Sequence, residues 1–287
     1  MWSIDDINTV CVCGSGTMGA GIAQVAARSG FHTILYDVNA AALEKASIRL
    51  TDDLAQQVNR GKLSDSDKTD TLSRLRFVTD MNDCLADVFI EAIVEDPLVK
   101  AGLFNQLNEF NHSEVIFATN TSSLSVTAIA KNVMHPERVV GMHFFNPAPL
   151  MKLVEVVNAD TTEPGVSQLI AALARKMGKT PVFCKDSPGF IVNHVARPYY
   201  IEALRLAEEG VADFATIDAL MESSGFKMGP FKLMDLIGND INYAVSCSVF
   251  DALGQPERLR PSAIQKERVD KNELGRKTGK GYYDYSK

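Results

Sequence analysis

His143 and Glu155 are the residues whose types and spacing most directly suggest acid–base chemistry. His143 lies in Gly141-Met142-His143-Phe144-Phe145-Asn146-Pro147, and the loop that follows is broken by Pro147 and Pro149. The apolar run reads as a strand, so the imidazole falls near a strand's carboxyl end. That is the edge where open α/β sheets bind ligands. Glu155 interrupts Met151-Lys152-Leu153-Val154-Glu155-Val156-Val157, and strand alternation puts it on the face of Met151, Leu153 and Val157. A lone carboxylate there is costly, and an imidazole on the neighbouring strand would partner it. Glu155 would then fix the tautomer of His143 and stabilise its imidazolium. The other ring nitrogen would take a proton from a substrate hydroxyl as hydride leaves the same carbon. A histidine at the edge of the core, with a separate surface pair of Glu155 and Lys152, accounts for the same residues.

A second chemistry is written in Val10-Cys11-Val12-Cys13-Gly14-Ser15-Gly16-Thr17-Met18-Gly19. The apolar run predicts a buried strand. Gly14 permits a tight turn, Gly16 admits a pyrophosphate close to the backbone, and Gly19 allows a helix to pack on the strand. Thr17 and Met18 stand at the start of that helix, whose free N–H groups and positive dipole end favour phosphate. Thr33 to Tyr36 reads as the next strand, and Asp37 at its end can take ribose hydroxyls. Asp37 would repel a 2′-phosphate, and Val38-Asn39-Ala40 offers no arginine to receive one, so the pattern favours NAD over NADP.

Other polar residues fall at the same sheet edge. Asn120-Thr121-Ser122-Ser123 follows a strand, and Ser122 or Ser123 could equally cap the next helix. Glu95 and Lys100 follow another strand and could border the nicotinamide or stay solvated. Asn193 opens a long helix, where it could face a substrate or cap the turn. His194 is a weaker candidate base, lacking an acidic partner. The five cysteines form no CxxC pair and no metal-ligand spacing, so no metal site is expected.

The elements that must position these groups alternate strand and helix through the first half. Strands are expected at 76–78, 88–92, 115–118, 139–143, 153–157 and 180–183. Helices are expected at 40–60, 97–110, 125–130 and 163–177. This rhythm predicts a mostly parallel sheet with helices on both faces. Near Lys185-Asp186-Ser187-Pro188-Gly189 the texture changes, and 191–209, 215–223 and 237–253 read as helices. The boundary is placed at 185, giving domains 1–185 and 186–287. The second is short for a core of its own, so its helices are expected to pack also on the first domain, on a twin subunit or on both.

A net charge of −7 argues against nucleic-acid binding and gives no global attraction for an anionic substrate. No stretch is long and apolar enough to span a membrane. The opening Met-Trp-Ser-Ile-Asp-Asp lacks the features of a secretory or mitochondrial leader. With the scattered cysteines, it suggests a reducing cytoplasm.

Together these segments resemble a known family. The residues that carry the likeness are Asn120 to Ser123, Gly141 to Pro147, Met151 to Glu155, Ser187-Pro188-Gly189-Phe190-Ile191-Val192-Asn193, Met228-Gly229-Pro230-Phe231 and Gly275 to Tyr285. They resemble the L-3-hydroxyacyl-CoA dehydrogenases, above all the bacterial 3-hydroxybutyryl-CoA enzymes. The resemblance implies a Rossmann-like, doubly wound, mostly parallel sheet with a C-terminal all-helical domain. It also implies an acyl-CoA substrate, NAD as cofactor and a homodimer formed through the helical domain. It makes His143 the catalytic base, Glu155 its orienting partner, Ser122 a contact to the 3-oxygen and Asn193 a residue near the substrate. Glu95, Lys100 and Asn120 become cofactor-side positions. Ser15 replaces another small residue, an exchange expected to be neutral. Arg49, Arg60 and Lys62 are basic, but no CoA phosphate contact is assigned to them. Met228, Pro230, Phe231 and Met234 are candidates to line an acyl pocket, and Lys277 and Lys280 belong to a structural closing tail. A non-catalytic, crystallin-like NAD-binding protein and a dehydrogenase of free sugar acids are the alternatives. A multifunctional fatty-acid oxidation protein is not expected, since 287 residues leave no room for a hydratase domain beside these two.

Overall fold

The computed structural model describes residues 3–286. Met1 and Trp2, part of the opening stretch read above, and Lys287 lie outside the described residues. The chain divides into two compact units between Ser187 and Pro188.

The first unit is an α/β sheet protein. Its elements run β1 (Thr9–Cys13), α1 (Thr17–Arg28), β2 (His32–Tyr36), α2 (Ala40–Asn59), α3 (Asp65–Ser73), β3 (Leu75–Val78), β4 (Val88–Glu91) and α4 (Pro97–Phe110). They continue through β5 (Ile116–Thr119), α5 (Val126–Ala130), β6 (Val139–Phe144), β7 (Leu153–Asn158), α6 (Pro164–Lys176) and β8 (Thr180–Lys185). The strands form one sheet in the order β3-β2-β1-β4-β5-β6-β7-β8. Every pairing is parallel except β6 with β7, which is antiparallel. β4, β5 and β6 are buried along their whole length, as expected of strands covered on both faces. Local chemistry starts the helices: Asn39, Ser64 and Asp96 cap α2, α3 and α4, and proline opens α4 and α6. The strand order reverses at β1, which lies between β2 and β4, so a crevice opens beyond the carboxyl ends of β1 and β4.

The second unit is helical: α7 (Val192–Glu208), α8 (Phe214–Ser223), α9 (Pro230–Ile237), α10 (Asn239–Ala252) and α11 (Ala263–Asp270). It has its own apolar cluster, built on Tyr200, Leu204, Ile217, Phe231, Met234 and Tyr282. Phe231 and Met234 are fully buried in that cluster, so they are core residues and not the lining of an acyl pocket. The helix expected from Ile237 belongs to two helices, because Gly238, at φ 107°, ends α9 and begins α10. Two buried carboxylates hold the tail. Asp235 accepts from the Tyr282 and Tyr283 backbone N–H groups and from the Tyr285 hydroxyl. Asp218 accepts from the Tyr283 hydroxyl. Lys277 pairs with Asp240 and Lys280 with Glu273, which uses both lysines inside the unit.

Candidate active site

β6 and β7 place His143 directly opposite Glu155 in the antiparallel register. Opposed residues of such a pair share one face of the sheet within side-chain reach. His143 Nδ1 lies 2.7 Å from Glu155 Oε2. The imidazole is 5% exposed and the carboxylate 0%, so Glu155 is no surface residue. The Phe145 ring stands 4.5 Å from the imidazole, centroid to centroid, and narrows its freedom further. A carboxylate on Nδ1 makes that nitrogen the donor and Nε2 the basic one.

A second polar group ties the ends of β4, β5 and β6 together. Asn120 follows β5, and its Oδ1 accepts from the Phe144 backbone N–H at 2.8 Å, next to His143. Lys100, on α4, is not solvated: it is 1% exposed. Its ammonium sits 2.6 Å from Glu91 Oε1 and 3.0 Å from Glu95 Oε2. Glu95 Oε1 accepts in turn from the Thr121 hydroxyl and the Ser122 backbone N–H, both at 3.1 Å. Ser122 therefore sits on a loop held by Glu95. The helix cap is neither Ser122 nor Ser123 but Ser125, whose hydroxyl accepts from Ala128 N–H.

Glu91, which sequence reasoning missed, anchors this polar group. It is fully buried, and accepts from Lys100, the Thr119 hydroxyl (2.7 Å) and the Ile93 N–H (2.7 Å). Burial pushes its carboxyl above the usual range, against the pull of Lys100 and these hydrogen bonds. The available signal was a lone charge closing the apolar run Val88-Phe89-Ile90.

At the carboxyl end of β1 the glycine turn is sterically committed. Gly14 has φ 101°, and a Cβ there would meet Ala92 O at 2.6 Å. A Cβ on Gly19 would lie 1.7 Å from Gly14 O. Asp37 is half-buried, and its Oδ2 accepts from both the N–H (2.7 Å) and the hydroxyl (2.6 Å) of Ser15, while Oδ1 accepts from Asn39 N–H at 2.9 Å. The Ser15 hydroxyl thus orients the acid, a contact its small size alone does not announce. Burial raises the Asp37 carboxyl, but the Ser15 and Asn39 bonds outweigh it and hold the group below its ordinary value. A carboxylate offers about four lone-pair sites, so capacity remains on Oδ1.

In the helical unit, Asn193 lies in the first turn of α7. It is not the N-cap, which is Ile191. The Asn193 carbonyl accepts from the buried Arg197 side chain at 2.9 Å. His194 Nδ1 lies 2.9 Å from the Pro188 carbonyl, a backbone contact rather than a catalytic pairing.

This geometry coincides with a family pattern along the chain. Residues 9–187 match the model of the 3-hydroxyacyl-CoA dehydrogenase NAD binding domain, and residues 189–285 match that of the 3-hydroxyacyl-CoA dehydrogenase C-terminal domain. The chain belongs to the 3-hydroxyacyl-CoA dehydrogenase family. A relative from Escherichia coli K12 named 3-hydroxyadipyl-CoA dehydrogenase is 51% identical over 98% of this chain, which spans 59% of that protein's length. A probable 3-hydroxybutyryl-CoA dehydrogenase of Deinococcus radiodurans is 40% identical over 96% of this chain and 99% of its own. The solved structure of (S)-3-hydroxybutyryl-CoA dehydrogenase from Ralstonia eutropha superposes with a TM-score of 0.92 at 36% identity, covering 98% of this chain and 100% of that one.

The residues of this 3-hydroxyacyl-CoA dehydrogenase family member fit NAD. A Cβ built on Gly16 finds no atom within 4 Å, so nothing in the protein itself fills the space beside it. Gly16 is also the N-cap of α1 and supplies no side-chain cap. The first-turn N–H groups and the helix dipole are therefore presented to a pyrophosphate.

Proposed function

We propose that this chain interconverts (S)-3-hydroxyacyl-CoA and 3-ketoacyl-CoA, with NAD, at the His143–Glu155 pair. The observation that carries this reading is the buried 2.7 Å contact between those two residues, at the sheet edge that also carries the dinucleotide turn. NAD, when bound, supplies the acceptor for the hydride that leaves C3. His143 Nε2 takes the 3-hydroxyl proton in the oxidative direction and returns it in the reductive one. Glu155 holds the tautomer and offsets the imidazolium charge. Ser122 contacts the oxygen at C3, and Glu95, Lys100 and Asn120 shape the cofactor side. Asn193 enters as a substrate contact from the family resemblance.

A short acyl group, as in 3-hydroxybutyryl-CoA, is the favoured substrate. A 3-hydroxy dicarboxylyl-CoA is the second reading, supported by the name of the 51% identical relative. We further propose a homodimer through the helical unit, which exposes Ile191, Val195, Leu206 and Ile241, and a reducing cytoplasm, which suits five unpaired thiols. Among the described residues no helix is long and apolar enough to cross a membrane.

The test is oxidation of NADH and of NADPH by acetoacetyl-CoA, 3-ketohexanoyl-CoA and 3-ketoadipyl-CoA, compared by kcat/KM. NADH-dependent turnover supports the reaction, and the ranking assigns the acyl group. No turnover with any of them overturns it in favour of a non-catalytic NAD-binding protein.

A further inference from the structure

Arg197, on α7, is a charge buried among neutral groups, and it is 2% exposed. Its Nε donates to the Asn193 carbonyl at 2.9 Å. Its Nη1 donates to the Asn242 carbonyl at 3.0 Å and to the Ser246 hydroxyl at 2.9 Å. The Tyr200 ring covers the guanidinium, with its centroid 4.9 Å away. None of these partners is a carboxylate. Other arginines of the helical unit are placed differently: Arg205 and Arg258 sit beside Glu202, Arg260 beside Glu257 and Arg268 beside Glu273. Burial pushes the Arg197 guanidinium down to about 10, and only Tyr200 pulls the other way. A buried cation in such surroundings is costly, and an anion beside it would offset the cost.

The guanidinium also has capacity left. It carries five N–H donors, three are used above, and Nη2 meets no hydrogen-bond partner among the described residues. Unused donors on a planar, unpaired cation suit a carboxylate. Arg197 lies one helical turn beyond Asn193 on the same face of α7, a rise of about 6 Å. In a six-carbon 3-hydroxy dicarboxylyl chain the distal carboxyl carbon is three bonds beyond C3, about 4 Å when extended. That chain and one hydrogen bond reach as far as the turn does.

We propose that Arg197 is a specificity-determining residue that receives the terminal carboxylate of a 3-hydroxy dicarboxylyl-CoA. The inference rests on the proposed reaction, with Asn193 as its substrate contact, and favours the dicarboxylyl acyl group over the short one.

The test compares kcat/KM for 3-ketoadipyl-CoA and 3-ketohexanoyl-CoA, whose acyl chains have equal carbon counts and end in a carboxylate or a methyl. The parent favours 3-ketoadipyl-CoA. Arg197→Gln lowers the ratio between the two about ten- to hundred-fold, the scale of a hydrogen bond to a charged group. Arg197→Lys, which keeps the charge without the fork, lowers it less. A purely structural link between α7 and α10 predicts equal losses on both substrates, and that result overturns the inference, as does an unchanged ratio. So does a parent that uses 3-ketohexanoyl-CoA as well as 3-ketoadipyl-CoA, a comparison that needs no variant to fold. A parent that turns over neither of these nor acetoacetyl-CoA overturns the proposed function, and this inference with it.

Discussion

His143 and Glu155 are register partners on the two antiparallel strands of an otherwise parallel sheet, with Nδ1 2.7 Å from Oε2. The reversal of β7 matters chemically. It returns the chain beside β6, so that residues twelve apart in sequence face one another, and it leaves the carboxylate 0% exposed. Glu155→Gln keeps an oxygen that can accept from Nδ1 but removes the charge that stabilises the imidazolium. Turnover of acetoacetyl-CoA should fall about 10²- to 10⁴-fold, the scale of general acid–base catalysis, with NADH affinity unchanged. Turnover within a few-fold of the parent would show that the pair is structural.

The Glu91–Lys100 pair should behave as a buried ion pair. Glu91→Gln strands an ammonium that is 1% exposed, and Lys100→Met strands the carboxylate. Glu91→Gln should cost about 3 kcal/mol of stability in urea unfolding, at the low end for a broken buried pair, because Glu95 still reaches Lys100; Lys100→Met takes the cation from both acids and should cost about 3 to 5 kcal/mol. The double variant should lose at least 1 kcal/mol less than the two losses summed. Strict additivity would contradict the pairing.

Much of this arrangement is legible in the sequence, for identifiable reasons. The glycine turn, the apolar strands and the helices of the first unit are local signals and fall close to where their spacing predicts, although the cap before α5 is Ser125. The His143–Glu155 contact follows from alternation on one strand and the cost of an unpaired buried charge. Other features depend on distant neighbours. Whether Lys100 is solvated or buried turns on Glu91, whose own position shows as little more than an acid at the end of a strand. Ser15 looks interchangeable until the fold brings Asp37 against it. Phe231 and Met234 carry the right chemistry for an acyl pocket, and tertiary packing spends them on the core. Gly238 splits a helical pattern that apolar periodicity alone runs together.

Ser15 and Asp37 give a pH-dependent prediction. The folded-state pKa of Asp37 is lowered. Its contribution to stability is therefore present above the unfolded pKa, about 3.9, and is lost as pH falls through the folded value. Ser15→Ala removes one of the bonds responsible. Its thermal midpoint should lie below the parent's at pH 7, and the gap should close as pH drops below about 4. A gap that persists unchanged to pH 3 would assign it to packing and not to the carboxylate.

Asp37 should also set cofactor choice. Asp37→Ala removes the acceptor for ribose hydroxyls and the charge that repels a 2′-phosphate. The Kd for NADH should rise and the preference over NADPH should narrow, about ten-fold in the ratio. An unchanged ratio would remove Asp37 from the ribose site.

The most direct measurement is made on His143→Ala, with NADH binding by fluorescence and acetoacetyl-CoA turnover by absorbance on the same preparation. Loss of a general acid–base group at an intact cofactor site predicts parental NADH affinity and a kcat lowered about 10²- to 10⁴-fold. A variant that binds NADH normally and turns over at close to the parental rate would contradict the assignment of His143 as the proton carrier.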